Sequence, residues 1–198
     1  MTNKTPRIIL TGKLRSGKST VSTYLANEYG FHVMAFGDVL KRTADELFVG
    51  SDVYKFERIG TDEFTPICRK PRRLYQDYGT ALRALDPNVW IRQVERSLPV
   101  WENMRSVNGI VVDDLRQLNE EKWAKANGFT VIRINADEDT RLRRATEAGD
   151  TFSADDLRHA TEHHVDNVEA DYDVWNDGEG TDGLERKIDE IMAEILSA

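Results

Sequence analysis

Gly12-Lys13-Leu14-Arg15-Ser16-Gly17-Lys18-Ser19-Thr20 is the stretch that decides how this chain folds. Its spacing is G-x-x-x-x-G-K-[ST]. The β-branched and apolar run Ile8-Ile9-Leu10-Thr11 stands directly before it, and helix-forming sequence follows directly after. Glycines let backbone N–H groups turn inward, and a helix that starts at Lys18 aims the positive end of its dipole at the same point. The stretch is therefore expected to cradle the phosphates of ATP through Gly12, Lys13, Arg15, Ser16, Gly17, Lys18, Ser19 and Thr20. Lys18 would supply a point charge to the β- and γ-phosphates, and the Ser19 hydroxyl would ligate Mg²⁺. A glycine-bearing strand-to-helix turn with a chance lysine is the competing reading, and the flanking strand and helix weigh against it.

Outward from that loop, short β-rich runs alternate with amphipathic stretches. Val21, Tyr24, Leu25 and Tyr29 recur at helical spacing over Lys18 to Tyr29, and Phe31 to Phe36 reads as a second strand. Asp38 is expected to cap a helix that runs to Phe48. Residues 49–70 are the least regular part. Pro71 opens a helix through Ala84, and Asp86-Pro87 reads as a cap followed by proline at the first position of a helix that meets Pro99. Gly109-Ile110-Val111-Val112-Asp113-Asp114 is a third strand, Asn119 to Asn127 a helix stopped by Gly128, and Thr130 to Ile134 a fourth strand. A helix from Asp137 to Glu147, a short one opened by Ser153, a weak strand Asp173 to Asn176 and a helix from Leu184 to Leu196 complete the chain. Strands alternating with helices predict an α/β fold: a five-stranded parallel sheet with helices on both faces, the P-loop NTPase fold.

The chain has 198 residues, 27 of them Lys or Arg and 35 Asp or Glu, for a net charge of -8. That length suits one domain. From Thr161 onward there are 12 acidic and 2 basic side chains, a net of -10, which leaves +2 for the first 160 residues. A net acid has little long-range pull on nucleic acid, whereas small basic clusters such as Arg69-Lys70-Pro71-Arg72-Arg73 suit a small phosphorylated ligand. The partners expected are small-molecule nucleotides, with no nucleic acid and no membrane. Cys68 is a lone cysteine, so no internal disulfide forms, and no apolar run approaches the roughly 20 residues of a membrane span. The opening Met-Thr-Asn-Lys-Thr-Pro-Arg is unlike a signal peptide, so the expected location is cytoplasmic.

Asp113 and Asp114 end an apolar strand, where a carboxylate can hold Mg²⁺ beside a phosphate-binding loop. Which of the two faces the metal depends on strand register, and Asp113 is expected to be the metal ligand. His159 and His163 stand i,i+4, but nothing completes a zinc site around them. Tyr75, Tyr78 and Trp90 fit core packing as well as base stacking.

The loop T-G-K-L-R-S-G-K-S-T resembles that of bacteriophage deoxynucleoside monophosphate kinases, within the nucleoside monophosphate kinase group. The likeness continues through F-G-D-V-L-K at 36–41, P-R-R-L-Y-Q-D-Y-G-T at 71–80, Arg83, P-N-V-W at 87–90, D-L-R-Q-L-N-E at 114–120 and N-D-G at 176–178. One departure is Ser19, where the family often has Asp. The resemblance implies one kinase domain over 1–198, with a monophosphate-binding region at about 37–106 and a lid at about 137–162. It implies phosphoryl transfer from Mg-ATP to a deoxynucleoside 5′-monophosphate, supplying precursors for DNA synthesis, in the host cytoplasm if the source is a phage. A homodimer is allowed.

Because an acceptor phosphate is already anionic, such a reaction needs positioning and positive charge more than a base. Arginines are the natural carriers. The resemblance implies that Asp38, Lys41, Arg72, Gln76, Arg83, Trp90, Asp114 and Arg116 surround the acceptor. It places Arg141 and Arg144, i,i+3 on one helix face, in the lid, and Asn176 and Gly178 in a loop against the adenine. Lys18, Arg116, Arg141 and Arg144 are then the catalytic set. Two other readings share the loop: another small-molecule kinase, such as a dephospho-coenzyme A or phosphomevalonate kinase, and a nucleotide-binding switch that phosphorylates no metabolite.

Overall fold

Five short runs, the central ones continuously apolar, build a single parallel sheet in the computed structural model, which describes residues 5–51, 72–148, 164–178 and 180–197. The strands are β1 Arg7–Thr11, β2 Phe31–Met34, β3 Gly109–Leu115, β4 Thr130–Asn135 and β5 Tyr172–Trp175, in the order β2-β3-β1-β4-β5. The helices are α1 Lys18–Tyr29, α2 Phe36–Phe48, α3 Arg72–Leu85, α4 Val89–Glu102, α5 Leu118–Ala126, α6 Glu138–Glu147 and α7 Asp182–Ser197. The chain divides into two compact units, one of Met1–Ala35 with Val94–Ala198 and the other of Phe36–Gln93.

In the first unit, Ile8 and Leu10 of β1, Val111 of β3, Ile132 and Ile134 of β4 and Val174 of β5 point to one face. There they meet Val21 and Leu25 of α1 and Leu184, Ile188, Ile191 and Met192 of α7. Full burial of each such side chain is worth about 1.5–3 kcal/mol, so this layer is the main anchor of the sheet. Ile9, Ile110, Val112 and Val131, one residue out of phase, are fully buried on the opposite face, where α5 packs against β4. Helices thus cover both faces, as the sequence predicts.

Register between β1 and β3 is not uniform. Ile9 pairs with Val112 but Thr11 pairs with Leu115, so β3 carries one extra residue at Asp113-Asp114. A bulge of this kind re-aims the side chains that flank it.

In the second unit α2 packs on α3. Gly79 makes the approach close, since a Cβ there would lie 2.6 Å from Leu40 Cδ1. Tyr75 Oη donates to Asp45 Oδ1 at 2.7 Å, and Tyr78 packs between Phe48 and Trp90 with ring centroids 6.1 and 6.2 Å away.

Several boundaries differ from the sequence reading. The second strand stops at Met34, and Phe36, buried at 2% exposure, already begins α2. Asp38 therefore lies in the first helical turn and is not the cap. Helix α4 starts at Val89, after Asp86 Oδ1 has accepted the Asn88 N–H, and it runs through Pro99 to Glu102. Leu118 opens α5, one residue early, because Gln117 and Glu120 form a capping box. Residues 52–71, with Cys68, and 149–163, with Ser153, His159 and His163, lie outside the described residues.

Candidate phosphate-binding site

β1 and β3 are parallel neighbours, so the loop after β1 and the segment that follows β3 at Arg116-Gln117 emerge side by side at the carboxyl end of the sheet. The loop after β1 is tightly wound. Gly12 has φ 151° and Gly17 φ 111°, and Arg15 has φ 62°, an unusual strain for a residue with a side chain. Ser16 N–H donates to Lys13 O at 3.2 Å. A Cβ on Gly12 would sit 2.3 Å from the main-chain oxygen of Ile134, and one on Gly17 would sit 2.3 Å from Asn176 Nδ2. Both glycines are needed for close approach as well as for their dihedral angles.

Helix α1 opens at this loop with Gly17 as its N-cap, no side-chain cap bond and no acidic residue in its first turn. Its first N–H groups and its dipole are therefore directed at whatever anion the loop encloses. Lys18 Nζ folds back and donates to Gly12 O at 2.5 Å and Lys13 O at 3.0 Å. Ser16 Oγ is buried and has no partner among the described residues, a donor left for a ligand in the cradle. Ser19 is exposed and Thr20 half-buried on the first turn of α1, and Lys13 Nζ pairs with Asp166 at 2.8 Å.

Ser22 Oγ lies 3.2 Å from Asp113 Oδ2 and 3.2 Å from Ser19 O, tying Asp113 to the first turns of α1. The hydroxyl of Ser19 and the carboxylate of Asp113 are hard oxygen donors of the kind Mg²⁺ selects, so these two residues fit that ion. Asp114 follows in the bulge, and Arg116 is the first residue after β3. Glu120, only 3% exposed, accepts the N–H groups of Arg116 and Gln117 at 2.9 and 3.0 Å, which fixes the backbone from which Arg116 projects. The sequence signal for Glu120 was the Q-x-x-E capping spacing ahead of an apolar run.

Arg144, Asn176, Gly178 and the loop after β1 are joined. Arg144 Nη2 donates to Asn176 O at 2.9 Å and lies 3.4 Å from Asn176 Oδ1 and from Gly178 O, while its Nη1 lies 3.5 Å from Arg15 O. Asn176 Nδ2 donates to Ser16 O at 2.8 Å. Arg141, three residues before Arg144 on α6, has a buried Nε with no partner among the described residues. A buried guanidinium N–H left unpaired is costly, which suits a group waiting for an anion. Asp137 caps α6 by accepting the Thr140 N–H at 2.7 Å, a bond that holds its carboxyl below the usual range.

Two long-range contacts escaped the sequence. Arg133 grips Asp173 through Nε at 2.6 Å and Nη2 at 2.8 Å, and it also donates to Val168 O at 2.9 Å. Glu121, 5% exposed, would be pushed up by burial, but the Lys125 ammonium, the Glu169 N–H and His164 outweigh that and hold it below its ordinary value.

The remaining expected residues belong to the second unit. Asp38 and Lys41 face each other at 3.7 Å on α2. Gln76 is exposed and Arg83 half-buried on α3, seven residues apart and so on one face. Trp90 is 3% exposed, with Nε1 unpartnered among the described residues. Arg72 is the first residue of α3, and its side chain lies outside the described set.

Sheet, loop and helix terminus together define a P-loop protein of the kinase type. A family profile described as an AAA domain (AAA_18) matches residues 8–171, and the chain belongs to that family. A relative from Acanthamoeba polyphaga mimivirus, named "Putative deoxynucleotide monophosphate kinase", is 32% identical over 141 residues, covering 64% of this chain and 72% of its own length. Among solved structures, TT1252 from Thermus thermophilus aligns with a TM-score of 0.59 and 22% identity over 96% of this chain and 98% of that one. Dephospho-CoA kinase from Campylobacter jejuni aligns with a TM-score of 0.55 and 15% identity over 96% and 97%. Shikimate kinase from Acinetobacter baumannii gives 0.54 and 12% over 96% and 93%. These likenesses establish the fold. Among the described residues, no helix is long and apolar enough to cross a membrane.

Proposed function

We propose that this chain transfers the γ-phosphoryl group of ATP to a deoxynucleoside 5′-monophosphate, giving ADP and the deoxynucleoside diphosphate. An acceptor phosphate oxygen forms a bond to the γ-phosphorus, while the bond from that phosphorus to the bridging oxygen breaks and ADP leaves with the electron pair. The observation that carries the reading is the cradle itself: a helix terminus with no side-chain cap bond and no acidic side chain in its first turn, with Lys18 Nζ folded back onto the loop carbonyls. The name of the mimivirus relative and the motif blocks at 36–41, 71–80, 114–120 and 176–178 support the choice of acceptor.

Lys18 leaves its two loop carbonyls for the β- and γ-phosphates, and Ser16 Oγ gains the acceptor it lacks. Ser19 and Asp113 would hold Mg²⁺, which neutralises phosphate charge when bound. Arg141 and Arg116 spread positive charge over the transferring group from the donor and acceptor sides. Asp38, Lys41, Arg72, Gln76, Arg83, Trp90 and Asp114 are the proposed acceptor contacts.

The test is a steady-state panel with Mg-ATP against the four common deoxynucleoside monophosphates, their ribose counterparts, dephospho-coenzyme A and shikimate. At least one deoxynucleoside monophosphate is expected to turn over fastest. Phosphorylation of dephospho-coenzyme A or shikimate with every nucleoside monophosphate inert would overturn the proposal.

A further inference from the structure

Asn176 follows the edge strand β5 in an Asn-Asp-Gly sequence, where a side-chain amide would be free to meet the base of a donor nucleotide. Its surroundings say otherwise. The residue is 8% exposed. Its N–H donates to Asn135 O at 2.8 Å, and its Nδ2 donates to Ser16 O at 2.8 Å. Arg144 Nη2 meets its main-chain oxygen at 2.9 Å and its Oδ1 at 3.4 Å. Both ends of the amide thus face groups of the protein. The contact with the loop is so close that Gly17 has no room for a Cβ, which would stand 2.3 Å from Nδ2.

We propose that Asn176 is a positioning residue: its amide braces Ser16, and with it the phosphate-binding loop, against the end of β5, and does not read the donor base. Ser16 and Gly17 are consecutive, and Gly17 caps α1, so a bond to Ser16 O fixes the peptide that sets the direction of the first N–H groups of α1. Arg144 closes the brace from α6 by reaching the same asparagine and Arg15 O. Loss of the amide donor leaves a buried carbonyl unpaired and lets the cradle loosen; the effect falls on phosphate binding and is blind to the base. The inference rests on the reading of 12–20 as a triphosphate site.

Its test separates phosphates from base. Affinities of the full chain for Mg-ATP, Mg-GTP and inorganic tripolyphosphate are measured by calorimetry for wild type, Asn176→Ala and Asn176→Asp. All are recorded well below each variant's melting temperature. Asn176→Asp keeps the shape and turns the donor into an acceptor facing Ser16 O, so it serves even where the alanine variant fails to fold. Both variants are expected to weaken tripolyphosphate and ATP by the same factor, on the order of tenfold, with the ATP-to-GTP ratio unchanged. In turnover, the KM for ATP should rise while the KM of the acceptor stays in place. Weaker ATP binding with tripolyphosphate unaffected would show that the amide reads the base and would overturn the proposal, as would unchanged affinity for both. Wild-type protein that binds neither ligand would sink the triphosphate site itself.

Discussion

Gly12→Ala is the sharpest probe of how the loop is built. The new methyl group would start 2.3 Å from the main-chain oxygen of Ile134 and 2.7 Å from Ser16 Oγ. The loop must move off β4 by about 0.7 Å to reach even the 3.0 Å that Cβ contacts scarcely ever undercut. Ile134 is fully buried at the centre of the α1/α7 layer and cannot yield cheaply, so the loop is the part that shifts. Overpacking of this sort costs about 1–3 kcal/mol. An alanine held near φ 151° adds about 1–3 kcal/mol of backbone strain. A sum of about 2–6 kcal/mol in a chain of this size corresponds to a fall in Tm of roughly 4–24 °C. Thermal unfolding followed by circular dichroism reads it directly. Gly178→Ala is the control, because a Cβ there meets nothing within 4 Å. A Gly12→Ala variant that melts within about 2 °C of wild type, as the control should, would refute the argument.

Lys18→Met should keep the fold but abolish phosphoryl transfer, since the charge over the cradle is gone; turnover within tenfold of wild type would refute this. Arg141→Ala should leave stability unchanged or raise it, because a buried unpaired N–H disappears, while kcat falls by about 10²–10³-fold. A large loss of Tm with normal kcat would make Arg141 purely structural. Arg116→Ala should raise the KM of the acceptor more than that of ATP, and a selective loss of ATP affinity would overturn its assignment. Glu121 is held below its unfolded value of about 4.3, so its stabilising contribution is present above that pH and is lost as the pH falls through the lower folded value. Glu121→Gln should flatten the acid limb of a Tm-against-pH curve below about pH 4.5 and lower Tm at neutral pH; parallel curves would refute the linkage.

Most of the sheet could be read from the chain because its central strands are short continuous apolar runs, the mark of parallel strands buried on both faces. Helix α1 begins and ends where its glycines stand, at Gly17 and Gly30. Errors arose where local rules compete with packing. Asp38 is a good cap by type, yet burial of Phe36 starts α2 two residues earlier. Pro99 should stop a helix, but α4 continues to Glu102, whose carboxylate holds Arg7 Nε at 2.6 Å. Asp113 sits beside a bulge in β3 and a hydroxyl four residues into another helix, neither of which a single strand can announce. The cradle glycines, Lys18 and Ser19 were legible as a motif. The bracing of that motif by Asn176 and Arg144 was not, because it joins residues about 130 to 160 positions apart.

β2 and β3 hydrogen-bond to each other although Phe36–Gln93 separates them in the chain. A long excursion that leaves and rejoins the sheet at adjacent strands adds little closure entropy, because that cost grows only with the logarithm of its length. Such a segment can be rewritten, lengthened or exchanged during evolution without disturbing the ladder from which the glycine loop springs. Descendants of this chain could therefore alter the whole of Phe36–Gln93 while inheriting the glycine loop intact.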